Sequence, residues 1–229
     1  MSNEYLDWKC DDITDRAYAF AEAKHKGQVR KYTNEPYIIH PIAVSAKIAR
    51  HMGNIEPIFA FSPLDVAMIQ AIALLHDTVE DTDTTYSEIE KEFGIYVRNI
   101  VYWLTNVSEP EMGNRAYRKK VDLQHTLQAP IEAICLKMAD VIDNCKDIAQ
   151  RELESKEPST FAKKYLKEKL TFLKAIWKEK KVRLDPYAEM LEQEHPVRAF
   201  KYKCWLKVFS SLYRECKNIV ELQLDLIKE

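Results

Sequence analysis

The sequence His-Asp-Thr-Val-Glu-Asp at residues 76–81 concentrates four ionisable side chains where an apolar stretch of the chain ends. If this segment is helical, residues four apart share one face, which places His76 beside Glu80. Asp77 and Asp81 form a second pair of the same kind. Burying such charges without partners costs several kcal/mol each, and a bound cation would offset that cost. The sequence therefore predicts a divalent metal centre at this point.

The remaining ligands must come from elsewhere in the chain, and His40 and Asp140 are the best candidates. His40 follows a polar loop, so its ring can point across a cleft. Asp140 follows an apolar pair of residues in a predicted helix. Two imidazoles and two carboxylates form a mixed nitrogen and oxygen set, which suits Mn²⁺, Fe²⁺ or Zn²⁺ better than a thiolate-selective ion. The ligand types alone do not choose among these three metals.

The elements that must position these side chains are predicted to be helices, and the fold class to be all-α. Apolar residues recur at three- and four-residue steps nearly everywhere, without sustained period-two alternation. The stretch that precedes His76 is apolar on most sides, which is typical of a central, buried helix. The predicted helices span about 14–26, 41–52, 63–75, 85–94, 95–104, 115–127, 131–147, 160–181 and 197–228. The predicted irregular segments are 30–36, 106–114 and 147–158.

Composition excludes several classes of protein. The four glycines are far apart, so the chain has no glycine-rich loop of the Walker-A or dinucleotide-binding type. The 34 basic and 36 acidic side chains leave a net charge of −2, which disfavours a large duplex-binding surface, so we expect no nucleic-acid partner. The five cysteines fit neither a zinc motif nor a disulfide framework and indicate reduced thiols in a cytoplasmic setting. We expect no export signal and no membrane anchor.

Four segments, in a fixed order, carry a resemblance to a known family. They are HKGQVRK at 25–31, EPYIIHP at 35–41, LLHDTVEDT at 74–82, and KMAD at 137–140 followed by Asn144. These segments resemble the hydrolase domain of the RelA/SpoT family. More narrowly, the chain is similar to the small stand-alone alarmone hydrolases of that family, within the HD superfamily of metal-dependent phosphohydrolases. The resemblance covers about residues 10–175, so we expect a hydrolase domain at 1–180 and a helical extension packed on it at 181–229.

The resemblance implies an HD-domain helical bundle and one divalent metal, usually Mn²⁺. It implies a hydrolase that removes the 3′-pyrophosphate from guanosine tetra- or pentaphosphate. Carried over position by position, the metal ligands are His40, His76, Asp77 and Asp140. Glu80 and Asp81 fall where the family positions and deprotonates the attacking water. The substrate contacts fall on Arg30 and Lys31 for phosphate, Asn144 for the nucleotide and Tyr165 for the distal groups.

Two positions depart from the family pattern. The family commonly has a basic residue directly after the aspartate of the last motif and an aromatic residue or histidine two positions later, where this chain has Val141 and Asp143. An extra acid beside a polyphosphate site is unfavourable unless it faces away, so the substrate side of the pocket is expected to differ. Arg115 and Arg118 either reach a diphosphate or lie on an exposed helix face, and the sequence leaves both readings open.

Several functions remain open at this stage. The same centre could serve a phosphatase for another nucleotide with a 2′- or 3′-phosphate, such as NADPH. It could also belong to a catalytically silent nucleotide-binding module or to an HD nuclease. The synthetase domain found in the long members of the family has no counterpart here, so we expect the chain to degrade its substrate and not to make it.

Overall fold

The computed structural model describes residues 10–31, 33–57, 60–154 and 160–227, without the side chains of residues 10, 11 and 149–154. Its helices are α1 Cys10–Lys24, α2 Ile39–Gly53, α3 Pro63–Leu75, α4 Thr78–Asp81, α5 Tyr86–Leu104, α6 Arg115–Gln128, α7 Ile131–Glu154, α8 Thr160–Glu179, α9 Asp185–Glu194 and α10 Pro196–Leu226. Within the described residues the extended pairing is limited to an isolated bridge between Val29 and Pro36. The predicted all-α class is confirmed. Among the described helices, none combines the length and apolarity needed to cross a membrane.

Helix α3 lies at the centre of the fold, packed against α1 and α2 on one side and α5 on another. Ile69, Ile72 and Leu75 are almost fully buried, and each such side chain stabilises the fold by about 1.5–3 kcal/mol. Ser62 begins the helix with a capping box, in which Asp65 accepts a hydrogen bond from the Ser62 backbone. The predicted start at Ser62-Pro63 and the predicted central burial are both confirmed.

Several predicted boundaries are wrong. Helix α1 already includes Cys10, so it does not begin at Thr14, whose hydroxyl donates a 3.4 Å hydrogen bond to the Ala67 carbonyl of α3 instead of capping a helix. Helix α2 begins one residue before His40, so this histidine lies in the first helical turn and not at the cap. Pro41 is tolerated there because first-turn N–H groups have no intrahelical partner.

The charged segment predicted to be irregular from residue 147 is helical as far as Glu154, and residues 155–158 lie outside the described residues. Helix α9, Asp185–Glu194, was not predicted, and a π-helical segment, Lys180–Leu184, joins it to α8. Gly94 interrupts α5 with the non-helical dihedral angles φ 83° and ψ 166°, so the predicted end of one helix at Gly94 and the start of the next at residue 95 are confirmed.

Helix α10 packs along α7 and also contacts α2, α8 and α9. Phe209 and Leu212 of α10 belong to the same apolar cluster as the buried residues of α3 and α7. Glu215 adds a polar contact with α2, since its carboxylate accepts hydrogen bonds from Lys47 at 2.6 Å and Arg50 at 3.1 Å. The division of the chain near residue 180 stays a prediction.

Candidate metal and phosphate site

Two histidines and an aspartate meet where α2, α3 and α4 come together. The Nε2 atom of His76 lies 3.0 Å from Asp77 Oδ2, and the Nε2 atom of His40 lies 3.5 Å from the same oxygen. One ligand atom from each of these three side chains lies within 4.8 Å of the others. His40 and His76 are buried, so solvent does not reach the cluster from the side of these two histidines.

The hydrogen bonds of the two imidazoles orient both Nε2 atoms toward this cluster. Nδ1 of His76 donates to the Ala73 carbonyl at 2.7 Å, because a carbonyl oxygen can only accept. The Nε2 atom of His76 is buried and makes no hydrogen bond. Nδ1 of His40 pairs with Asp143 at 2.7 Å. Lone pairs on both Nε2 atoms beside a carboxylate fit a divalent cation, for which outer hydrogen bonds of this kind fix the ligating nitrogen.

Asp140 of α7 lies directly beside the cluster. Its Oδ1 is 3.3 Å from His40 Nε2 and accepts a hydrogen bond from Asn144, while its Oδ2 is 3.3 Å from Lys137 Nζ. Burial alone would raise the pKa of Asp140, but the charge of Lys137 and the contact with His40 hold it below its usual range. The carboxylate is therefore ionised at neutral pH and could complete a ligand set of two nitrogens and two oxygens.

The expected pairing of Asp77 with Asp81 is present, and a tyrosine joins the two. The hydroxyl of Tyr37 lies 2.7 Å from Asp77 Oδ2 and 2.9 Å from Asp81 Oδ2. Burial, followed by the charges of the two aspartates, raises the pKa of Tyr37, so the hydroxyl keeps its proton. Burial and the charge of Asp77 likewise raise the pKa of Asp81.

The expected pairing of His76 with Glu80 is wrong. Helix α3 ends at Leu75 and the short helix α4 begins at Thr78, so the four-residue spacing does not run along one continuous helix. Glu80 is exposed and accepts hydrogen bonds from Asn106, at 3.1 Å from the backbone N and 2.7 Å from Nδ2. The loop after α5 therefore orients this carboxylate.

A cavity of about 640 Å³ opens beside the cluster, between α6, α7 and α8. This volume is in the range of small-molecule pockets. The predicted catalytic and substrate-binding residues all line it: Glu80, Asp81, Arg30, Lys31, Asn144 and Tyr165. Of the predicted metal ligands, Asp77 and Asp140 line the cavity as well, whereas His40 and His76 do not.

Four lysines that the sequence analysis did not single out line the same cavity: Lys119, Lys120, Lys137 and Lys169. Lys169 lies with its Nζ 4.7 Å from the centre of the Tyr165 ring, and burial lowers its pKa. No described carboxylate forms an ion pair with it. Lys137 was detectable from the sequence, because it interrupts an otherwise apolar stretch at residues 133–139.

Arg30 is buried, and its guanidinium pairs with Asp143 at 3.2 Å and also with Asp147. Asp143 does not line the cavity, so the acid that departs from the family pattern faces away from it. Val141 does line it. Arg115 pairs with Glu168 of α8 at 2.9 Å, and neither Arg115 nor Arg118 lines the cavity.

The fold and this cluster of histidines and aspartates define the class of the protein. Residues 17–167 match the family model described as HD domain. Since this match covers more than half of the chain, the chain belongs to the HD domain family.

Relatives with assigned names are similar over the same region. Over 130 residues the chain is 42% identical to the Xenopus tropicalis protein named guanosine-3′,5′-bis(diphosphate) 3′-pyrophosphohydrolase MESH1, which covers 56% of this chain and 65% of that protein. Over 136 residues it is 41% identical to an Aquifex aeolicus guanosine-3′,5′-bis(diphosphate) 3′-pyrophosphohydrolase, covering 58% of this chain and 17% of that protein. The chain thus spans less than two thirds of either relative.

One solved structure is similar over nearly the whole length of both chains. It is described as a metazoan ortholog of SpoT that hydrolyzes ppGpp and plays a role in starvation responses. It matches with a TM-score of 0.57, covers 88% of this chain and 94% of that one, and is 21% identical. At this identity the likeness shows a shared fold.

Proposed function

We propose that this chain is a metal-dependent phosphohydrolase that removes the 3′-pyrophosphate from guanosine tetra- or pentaphosphate. The observation that carries the proposal is the cavity, which is lined both by Asp77 of the cluster of His40, His76 and Asp77 and by lysines of α6, α7 and α8. An acidic end suits a cation, and a basic wall suits the phosphates of a nucleotide. The names of the frog and Aquifex relatives support the same substrate.

The proposed cation is Mn²⁺, held by His40, His76, Asp77 and Asp140. The mixed nitrogen and oxygen donors support this choice over a thiolate-selective ion. A divalent cation in this position supplies Lewis acidity toward a phosphoryl oxygen and toward water. The protein contributes the fixed Nε2 orientation of both imidazoles and the ionised state of both carboxylates.

Glu80 and Asp81 are the proposed proton acceptor and orienting group for the attacking water. Glu80 is exposed to the cavity and is held by Asn106 at both of its oxygens. Asp81 is held by Tyr37, which also contacts Asp77. Two carboxylates fixed on one face, beside a cation site, can receive a proton and align its donor without a large rearrangement.

The substrate is proposed to lie along the rest of the cavity. Asn144 and Tyr165 contact the nucleotide, and Lys31 offsets phosphate charge as that charge develops. Arg30 is proposed to contribute positive charge to the site without turning toward the substrate, because its guanidinium is already paired with Asp143 and Asp147. The lysines of α6 and α8 add positive charge at a distance from the cluster, which favours a ligand with phosphates at two separate positions.

The chain is further proposed to work in the cytoplasm on a small nucleotide. The four cysteines with described side chains are free and buried. A set of reduced thiols is typical of a reducing compartment.

The experiment that tests the function is a nucleotide screen with product identification. The purified full chain is loaded with Mn²⁺ and incubated with guanosine tetraphosphate or NADPH, with and without a chelator. We expect pyrophosphate from guanosine tetraphosphate, no product in chelator, and none from a His76→Ala control. Phosphate from NADPH with guanosine tetraphosphate untouched would replace the proposed substrate. Turnover that continues in the His76→Ala variant would overturn the metal assignment.

A further inference from the structure

Asp143 is the acid that departs from the family pattern, and its surroundings give it a specific task. It lies in α7 one turn after Asp140 and is 9% exposed. A single oxygen, Oδ2, lies 2.7 Å from Nδ1 of His40 and 3.2 Å from Nη1 of Arg30. This carboxylate therefore touches a proposed metal ligand on one side and an arginine of the loop before α2 on the other.

The contact with His40 decides which ring nitrogen faces the cluster. A carboxylate oxygen accepts this hydrogen bond, so Nδ1 of His40 carries a proton, and Nε2 is the ring nitrogen left to offer its lone pair to a cation. That lone pair is directed toward Asp77 and Asp140, at 3.5 and 3.3 Å. Without the acceptor, the ring could also take the other tautomer or rotate, and each alternative turns an N–H toward the cation site.

The contact with Arg30 gives the same oxygen a positively charged partner. Arg30 is itself buried, so the guanidinium and the carboxylate offset each other's cost of burial. Asp147 also binds Arg30 but does not contact His40. The two acids thus share one arginine and differ in whether they reach the imidazole, which makes Asp147 a matched control for Asp143.

We propose that Asp143 is a positioning residue, which fixes the tautomer and ring orientation of His40 through one oxygen while Arg30 holds that same oxygen. The proposal rests on the proposed metal centre, which it deepens. It assigns to Asp143 a role in cation affinity and not in substrate contact, because its side chain does not line the cavity. A carboxylate behind a ligating histidine commonly has this effect in metal sites.

The test is the affinity of the metal-free full chain for Mn²⁺, measured by calorimetry without any nucleotide. For Asp143→Ala we expect an affinity about 10- to 100-fold weaker than that of the unmodified chain. Asp143→Asn should recover part of this loss, because its amide oxygen still accepts a hydrogen bond from Nδ1 of His40. Asp147→Ala should bind Mn²⁺ nearly as tightly as the unmodified chain. Circular dichroism and thermal unfolding of each variant check that the fold is kept.

Two results would overturn the proposal. One is an Asp143→Ala protein with unchanged Mn²⁺ affinity, and the other is an Asp147→Ala protein that loses as much affinity as Asp143→Ala. If Asp143→Ala does not fold, the comparison of Asp143→Asn with Asp147→Asn decides, and equal affinities contradict the role. Because no substrate is present, these outcomes are separate from failure of the proposed hydrolysis, which would leave the order of affinities untouched.

Discussion

Replacing Glu80 with glutamine separates proton transfer from assembly of the site. The two carboxylate oxygens of Glu80 accept hydrogen bonds from the backbone N and from Nδ2 of Asn106. Glutamine keeps the size of the side chain and can keep both contacts. Its oxygen accepts from the backbone N, and its amide donates to Oδ1 of Asn106 once that side-chain amide turns over. What the variant cannot do is accept a proton.

The size of each effect follows from this geometry. Glu80 is exposed and both of its hydrogen bonds have replacements, so the free energy of unfolding should change by less than about 1 kcal/mol. In a chain of this length that corresponds to a shift in Tm of no more than about 2–4 °C. Loss of a general base lowers turnover by about 10²- to 10⁴-fold, equivalent to about 2.7–5.4 kcal/mol in activation free energy. The kinetic effect should therefore far exceed the structural one.

The assay measures kcat, bound Mn²⁺ and nucleotide affinity on the same preparations of Glu80→Gln and unmodified chain. We expect kcat to fall while metal content and affinity stay nearly constant. Asn106→Ala is the matched control, because it removes only one of the two contacts that orient the carboxylate and should lower kcat less. Near-normal turnover in Glu80→Gln, or a larger loss in Asn106→Ala than in Glu80→Gln, would refute the role given to Glu80. Loss of the metal would instead place Glu80 among the ligands.

Three further outcomes are expected. Lys169→Met should weaken nucleotide binding by about 10- to 100-fold, since it removes a charge-assisted contact. Lys174 is exposed on the same helix, so Lys174→Met should leave nucleotide binding unchanged. Equal nucleotide affinities of the two variants in a binding titration would contradict the phosphate role of Lys169. Mn²⁺ at about 100 times its Kd should stabilise the chain by about 2.7 kcal/mol and raise Tm by roughly 5–10 °C. A thermal unfolding scan in which a chelator fails to reverse this rise in Tm would reject a specific metal site. In a Cys10→Ser variant the remaining thiols should react with a thiol reagent only after unfolding. Burial raises the pKa of Cys145 to about 12 and also raises the pKa of Cys135, Cys204 and Cys216. Fast labelling of the folded variant would show that these thiols are accessible.

The sequence was most informative where local chemistry alone decides the structure. Ser62 and Thr85 each precede an acid three residues later, and both form the capping boxes that begin α3 and α5. The apolar stretch before His76 predicts a central, buried helix, and α3 is buried at the centre of the fold. Asp140, Asn144 and Tyr165 lie within helices that the apolar pattern also predicts, and His40 and His76 each lie directly beside the end of one. Arg30 and Lys31 lie in the loop that is predicted at residues 30–36.

Prediction failed at helix ends and where a contact distant in sequence decides the outcome. The charge of the segment that begins at residue 147 predicts an irregular structure, but α7 continues through it to Glu154. Asp143 was judged only as an unfavourable acid, because nothing local indicates that Arg30, more than a hundred positions earlier, lies against it. Glu80 was paired with His76 on the assumption of one continuous helix, and the turn between α3 and α4 breaks that spacing.

The site combines a rigid part with a part that can change independently. His40 and Asp140 are buried on α2 and α7, which pack against each other, and buried His76 directly follows α3, which also packs against α2, so core packing fixes their positions. The lysines of α6 and α8 line the cavity and do not belong to the apolar core cluster. A substitution at Lys119 or Lys169 is therefore expected to change which phosphorylated nucleotide fits without displacing the proposed metal ligands. A substitution of Asp143 is expected to change cation affinity whatever the nucleotide is.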